Sequence, residues 1–193
     1  MKPAKSILGL FSFSFIGACC TFITGVLLAN TLGDASYGAF SSSLSLIVVV
    51  ATFASFGAGG FWLKIFGEEG WGALRWITKT LKLSIIAACV GAACIFGWAV
   101  LGPNDKIGSQ VLLILTVCIF SQIAIGLTSS KLQLEERFMQ LATWELLQPA
   151  TRLLLVLVFI FILGQQFTIV TAAGAFAAVG LFTLCIGCWQ LRN

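Results

Sequence analysis

The sequence predicts an all-α, polytopic membrane protein with six transmembrane helices and both chain ends in the cytoplasm. Three observations carry that expectation. The chain is 59% hydrophobic and only 9% charged. Its apolar runs have the length of membrane spans and are parted by short polar turns. Its Lys and Arg residues fall almost entirely on one side of the topology those runs define. A soluble domain carries charge on roughly a quarter of its residues. Eleven basic and seven acidic side chains among 193 residues cannot clothe such a surface, and a mean hydropathy of +1.05 agrees. Lipid is the solvent for most of this chain.

About 20 apolar residues cross a hydrocarbon layer of ~30 Å as a helix. The first span is expected at residues 6–32, preceded by Lys2 and Lys5, and a turn follows at 33–38. The second is expected at 39–63, closed by Lys64, and the third at 83–101, followed by Gly102-Pro103-Asn104-Asp105. The fourth covers 111–130 and ends at Lys131. From Leu153 to Leu191 there are 39 residues without a charge, too many for one helix and right for two around Gly164-Gln165-Gln166. These give spans at 147–163 and 168–190. The fifth must begin near Leu147 or Pro149, because residues 153–163 alone are too short to cross. Proline suits a first helical turn, where its missing N–H costs nothing. Residues 1–193 thus read as one membrane domain with no soluble insertion.

The first span could instead be a cleaved signal sequence, since Ile16-Gly17-Ala18-Cys19 loosely resembles a lipoprotein processing site. The apolar run continues for thirteen residues beyond Cys19, so a retained span is expected. Orientation follows from the basic residues. With the N-terminus inside, ten fall on the cytoplasmic side (Lys2, Lys5, Lys64, Arg75, Lys79, Lys82, Lys131, Arg137, Arg152, Arg192) and one, Lys106, falls outside.

The loops carry some pattern of their own. Trp71, Leu74, Ile77 and Leu81 share one helical face, opposite Arg75, Lys79 and Lys82. That is the layout of a helix lying in the interface against anionic head groups, the alternative being a solvated connector. Residues 131–148 read as a helical extension of span four that turns back into span five. Small residues at helical spacing (Ala51, Ser55 and Gly59; Ala87 and Gly91) predict close helix packing. Ser41, Ser42, Ser43 and Ser45 open span two, with hydroxyls able to bond back to their own helix or to line a wet cavity.

Several functions are excluded at this level. A pI near 8.8 without a basic stripe argues against nucleic acid. There is no histidine, which removes most metal sites and Ser-His or Cys-His nucleophiles. The seven cysteines sit in apolar stretches as small hydrophobes, and the Cys185–Cys188 pair lacks the βαβ context of a redox motif. No paired carboxylates, phosphate-binding loop or nucleophile elbow occurs, so no enzyme activity, catalytic residue, metal or cofactor is expected. The acidic residues fall in turns and loops, leaving no proton relay inside a span. What remains are polar groups at span margins: Asn30, Lys64, Gln122 and Arg152. With a helix starting near Leu147, Arg152 lies about 7 Å inside its end. From there it either snorkels to the interface or faces a hydrated cavity and meets an anion.

Two stretches carry a resemblance. Residues 28–40 (Leu-Ala-Asn-Thr-Leu-Gly-Asp-Ala-Ser-Tyr-Gly-Ala-Phe) with 55–64 (Ser-Phe-Gly-Ala-Gly-Gly-Phe-Trp-Leu-Lys) are similar to the amino-terminal signature of the polysaccharide and O-antigen flippases. That family belongs to the multidrug/oligosaccharidyl-lipid/polysaccharide exporter superfamily. Residues 132–155, with Arg-Phe and Gln-Pro-Ala-Thr-Arg, resemble the family's connection from helix four to helix five. The resemblance implies one six-helix lobe of a multi-pass transporter in the bacterial inner membrane. Such a transporter carries undecaprenyl pyrophosphate-linked oligosaccharide for O-antigen or other surface polysaccharide, and Arg152, Lys64 and Asn30 would be its substrate-binding residues here. Members often have an arginine where this chain has Asn30. They are also about twice as long, which implies a half-length or truncated lobe paired with a second lobe or with another copy. Two other functions stay open: a multidrug-type exporter lobe, and a small non-transporting membrane scaffold.

Overall fold

The computed structural model describes residues 2–103 and 105–192. Asn104 of the second expected outer turn lies outside the described residues, as do the side chains of residues 2–8, Trp71 and Gln165. Lys2, Lys5 and Trp71, which entered the charge tally and the interfacial face, are among them.

The described residues form eight α-helices: α1 (Lys2–Leu32), α2 (Asp34–Ser55), α3 (Ala58–Glu69), α4 (Leu74–Leu101), α5 (Lys106–Leu115), α6 (Val117–Leu134), α7 (Phe138–Leu163) and α8 (Ile169–Arg192). Taken end to end, α2–α3 and α5–α6 each make one span. Six helical stretches are then long and apolar enough to cross a membrane. The protein is an all-α, multi-pass membrane protein. Lipid offers no partner for a backbone N–H or C=O, so each span must satisfy its own, which only a helix does.

Every helix outruns its apolar stretch, because hydropathy marks the hydrocarbon layer and not the helix end. Span two is the clearest case. Gly33, at φ 76°, takes the place of the six-residue turn, and α2 starts at once on Asp34, whose carboxylate favours a helix N-terminus. The same span is also interrupted, against expectation. Phe56 and Gly57 both adopt left-handed conformation (φ 46° and 63°), splitting α2 from α3. Glycine accepts that geometry freely and a phenylalanine does so at a cost. Span four begins at Lys106 rather than Val111 and is interrupted once, at Thr116, where α5 passes into α6.

The amphipathic stretch after Lys64 is not a separate interfacial helix. A 3-10 turn at Gly70–Ala73 leads directly into α4, whose first turns hold Arg75, Lys79 and Lys82. Arg75 pairs with Glu69 at 3.0 Å, and Lys79 lies 4.8 Å over the Trp76 ring. At 28 residues, α4 is about 42 Å long, so roughly its first eight residues extend beyond a ~30 Å hydrocarbon layer.

The core lies where α5, α6 and α8 meet. About half of the most apolar stretch of spans four and six is buried within the protein (56% and 50%), against 11% and 6% for spans one and five. Val111, Leu115, Cys118, Ile119 and Ala172 are wholly enclosed. Small residues allow the approach. A Cβ on Gly187 would come 3.3 Å from Ala124 Cβ and 3.4 Å from Thr128 Oγ1. The expected small-residue stripe is used in the same way: a Cβ on Gly59 would run into Ser130 Oγ, and one on Gly91 would sit 2.5 Å from Val50 Cγ1. Two buried hydroxyls return to their own helices, Ser121 to Cys118 O at 2.9 Å and Thr183 to Val179 O at 2.9 Å, while Thr128 Oγ1 is buried without a partner. Beside this core, α1 lies along α7. Gly9 faces Met139 and Gly17 faces Pro149, so the two helices run parallel.

Candidate anion site

The fifth span decides where the charge sits. The helix holding it begins at Phe138, nine residues before Leu147, so Pro149 falls in its interior and not in its first turn. The segment 138–146 is amphipathic rather than apolar; hydropathy hides it, although Leu141 and Trp144 are buried against Leu10 and Leu132. Arg152 stands 14 residues after Phe138 and 11 before Leu163. At 1.5 Å per residue it is ~21 Å from one end of α7 and ~16 Å from the other, not about 7 Å inside the helix.

Its surroundings are partly apolar and partly hydroxylic. The guanidinium carbon lies 4.7 Å over the Phe176 ring of α8. Phe176 is fixed on two further sides, edge-on to Phe40 at 5.0 Å and by its carbonyl, which accepts from Cys118 Sγ at 3.7 Å. A cavity of about 150 Å³ adjoins the charge, lined among others by Thr21, Thr24, Tyr37, Ser41 and Pro149. Thr21 and Thr24 donate to their own helix, to Gly17 O at 3.0 Å and Cys20 O at 2.7 Å. The serine run divides between both of its expected uses. Ser42 and Ser43 bond back to Ala39 O, while Ser41 lines the cavity.

Arg152 Nε and one terminal nitrogen, Nη2, are buried without a hydrogen-bond partner. Among the described residues, no carboxylate lines the cavity. The arrangement is therefore unbalanced. A desolvated cation–π contact returns about 2 kcal/mol, whereas taking an ion out of water costs several kcal/mol even after relaxation. Phe176 alone does not cover that difference. An anion would, because arginine offers paired, directed N–H donors that match a carboxylate or phosphate.

The other two expected site residues are elsewhere. Lys64 on α3 is exposed and 4.0 Å from Glu68, one helical turn on. Asn30 is exposed two residues from the end of α1. Neither lines the Arg152 cavity, so the structure does not bring the three together. Gln122 lines a separate groove of about 290 Å³ with Gly59 and Ser130. A larger cleft of about 460 Å³ holds Lys131, Glu135 and Arg137, whose charges meet one another: Glu135 pairs with Lys131 at 3.8 Å and with Arg137 at 3.2 Å. Among the described residues, only Arg152 has a charged group buried in the bundle without an opposite charge. Thr21, Thr24, Tyr37 and Phe176 were missed from the sequence. Their one visible trace is that Tyr37, the chain's single tyrosine, sits within the stretch that carries the flippase resemblance. Set beside models of protein families, curated proteins and solved structures, the chain matches none.

Proposed function

We propose that this chain is one lobe of a transporter that moves an oligosaccharide linked to a lipid pyrophosphate across the bacterial cytoplasmic membrane. The observation that supports it most is Arg152, a cation in the middle of α7 with buried, unpartnered donors beside a cavity partly lined by hydroxyls. Ionisable groups inside spans are expensive and are kept at substrate pathways. The resemblance supplies the substrate class, and Arg152 meets its pyrophosphate. Both ends are read as cytoplasmic: with Arg152 inside the bundle, nine Lys and Arg still fall on that side against Lys106 outside. A cavity of about 150 Å³ is below the 300–1,000 Å³ of ordinary ligand pockets. It takes the anionic group and not the sugar. The sugar then lies between this lobe and a second one, either another copy or a separate chain, as in transporters built from paired repeats.

The test is restoration of surface polysaccharide in a strain lacking its flippase, with this chain fused to or co-expressed with a second lobe. The pair should restore export, and the chain as a proven monomer should not. Arg152→Lys, at equal membrane abundance, should cut export at least tenfold, since lysine keeps the charge but loses the fork of donors. Wild-type export from Arg152→Lys, or restoration by the monomer, would refute the reading.

A further inference from the structure

Gln148 stands four residues before Arg152 on α7. At that spacing two side chains share one helix face, with Cβ atoms ~5–6 Å apart. Gln148 Nε2 is buried and, like Arg152 Nε and Nη2, has no hydrogen-bond partner. The Gln148 amide oxygen takes none of these Arg152 donors, so the two groups do not satisfy each other. Pro149, between them in sequence, lines the cavity, while Gln148 is not among its lining residues and is tied to Arg152 by their shared helix face. One turn of one helix therefore concentrates three orphaned N–H donors. Each left unmade costs about 1–3 kcal/mol, more for the charged group.

We propose that Gln148 is the second donor of the Arg152 site and that the pair together holds one phosphate group beside the middle of α7. This rests on the reading of Arg152 as an anion receiver and deepens it by naming a further binding residue. Phosphate fits the donors better than carboxylate does. It offers oxygens in three dimensions, so the planar guanidinium takes two and leaves a third for an amide arriving from the next turn. Gln148 is neutral, so it adds direction without adding to the cost of burying charge.

The full chain in phosphatidylcholine nanodiscs, which lack anionic head groups, is titrated with inorganic pyrophosphate, geranyl pyrophosphate and geraniol. Calorimetry and thermal unfolding supply the readouts. Wild type should bind both pyrophosphates and not geraniol. Tighter binding of geranyl pyrophosphate identifies a lipid-linked anion and equal binding a free one; both support the donor pair. Gln148→Leu should weaken binding about tenfold. Without ligand the same variant should melt about 2–4 °C higher, because it removes a buried, unsatisfied donor. A structural amide would give the reverse, a lower melting temperature with unchanged affinity, and that result overturns the proposal. So does wild-type affinity in Gln148→Leu, or no pyrophosphate binding by wild type. Gln148→Glu, which pairs Arg152 internally, should abolish binding while keeping the fold; retained binding would also count against the pair. Phosphate binding without export in the complementation assay would leave the donor pair standing and remove the transport reading.

Discussion

The seam between α6 and α8 and the pair formed by α1 and α7 are built from similar residues to opposite ends. In the seam, small residues bring the helices together, and Ser121 and Thr183 spend their hydrogens on their own backbones. In the outer pair the helices are mostly uncovered by protein, yet among the described residues that pair holds a buried cation within its helices, with donors left open. The seam leaves a neutral hydroxyl, Thr128 Oγ1, without a partner, whereas the outer pair leaves a charge. On the proposed reading stability and function fall to different helices, and a substitution should change sign between them.

The largest effect is expected from Arg152→Met. It should abolish export, yet raise unfolding stability by about 1–4 kcal/mol, as apolar replacement of a buried charge often does. Loss of stability would mean that Arg152 has a partner inside the protein and that the outer pair is as complete as the seam. In the seam, Gly187→Leu should destabilise by about 2 kcal/mol by overpacking against Ala124, Thr128 and Trp144, with thermal unfolding in detergent as the measure. A neutral result would show that α6 and α8 can separate freely. The smallest effect is expected at Gly17, where an added Cβ would lie 3.4 Å from Pro149 Cγ in ordinary contact. Gly17→Ala should stabilise by about 0.5 kcal/mol through the better helix propensity of alanine. A clear loss would show that α1 and α7 are packed as closely as the seam.

The six spans were legible because hydrocarbon thickness imposes a minimum run length, which 39 uncharged residues between Leu153 and Leu191 satisfy twice. The helix ends were not legible, because a helix goes on past the hydrocarbon with charged residues on it, as at Arg75 in α4 and Glu145 in α7. That one limit moved Arg152 from near a helix end to the middle of α7. Glu145 moved with it, from an expected loop into the helix, two turns before the arginine. The break at Phe56–Gly57 had a sequence trace in its glycine but none in its phenylalanine. The cavity wall depends on how α1 is set against α7. Thr21 and Thr24 meet Arg152 only in the register fixed by Gly9 on Met139 and Gly17 on Pro149, and no one-dimensional pattern encodes such a register.

Pro149 gives α7 a leverage that follows from its place in the chain. A proline within a helix removes the hydrogen bond to the carbonyl four residues back and crowds it, here that of Glu145. The helix is therefore softest at a fulcrum three residues, or ~4.5 Å, from Arg152. A bend of about 10° there carries Leu163, ~21 Å away, through nearly 4 Å, but moves the Arg152 backbone by less than ~1 Å. The charge sits at the pivot while the end of the lever sweeps. In the proposed transporter, rocking about this point would open one side of the membrane and then the other without changing the depth of the cation.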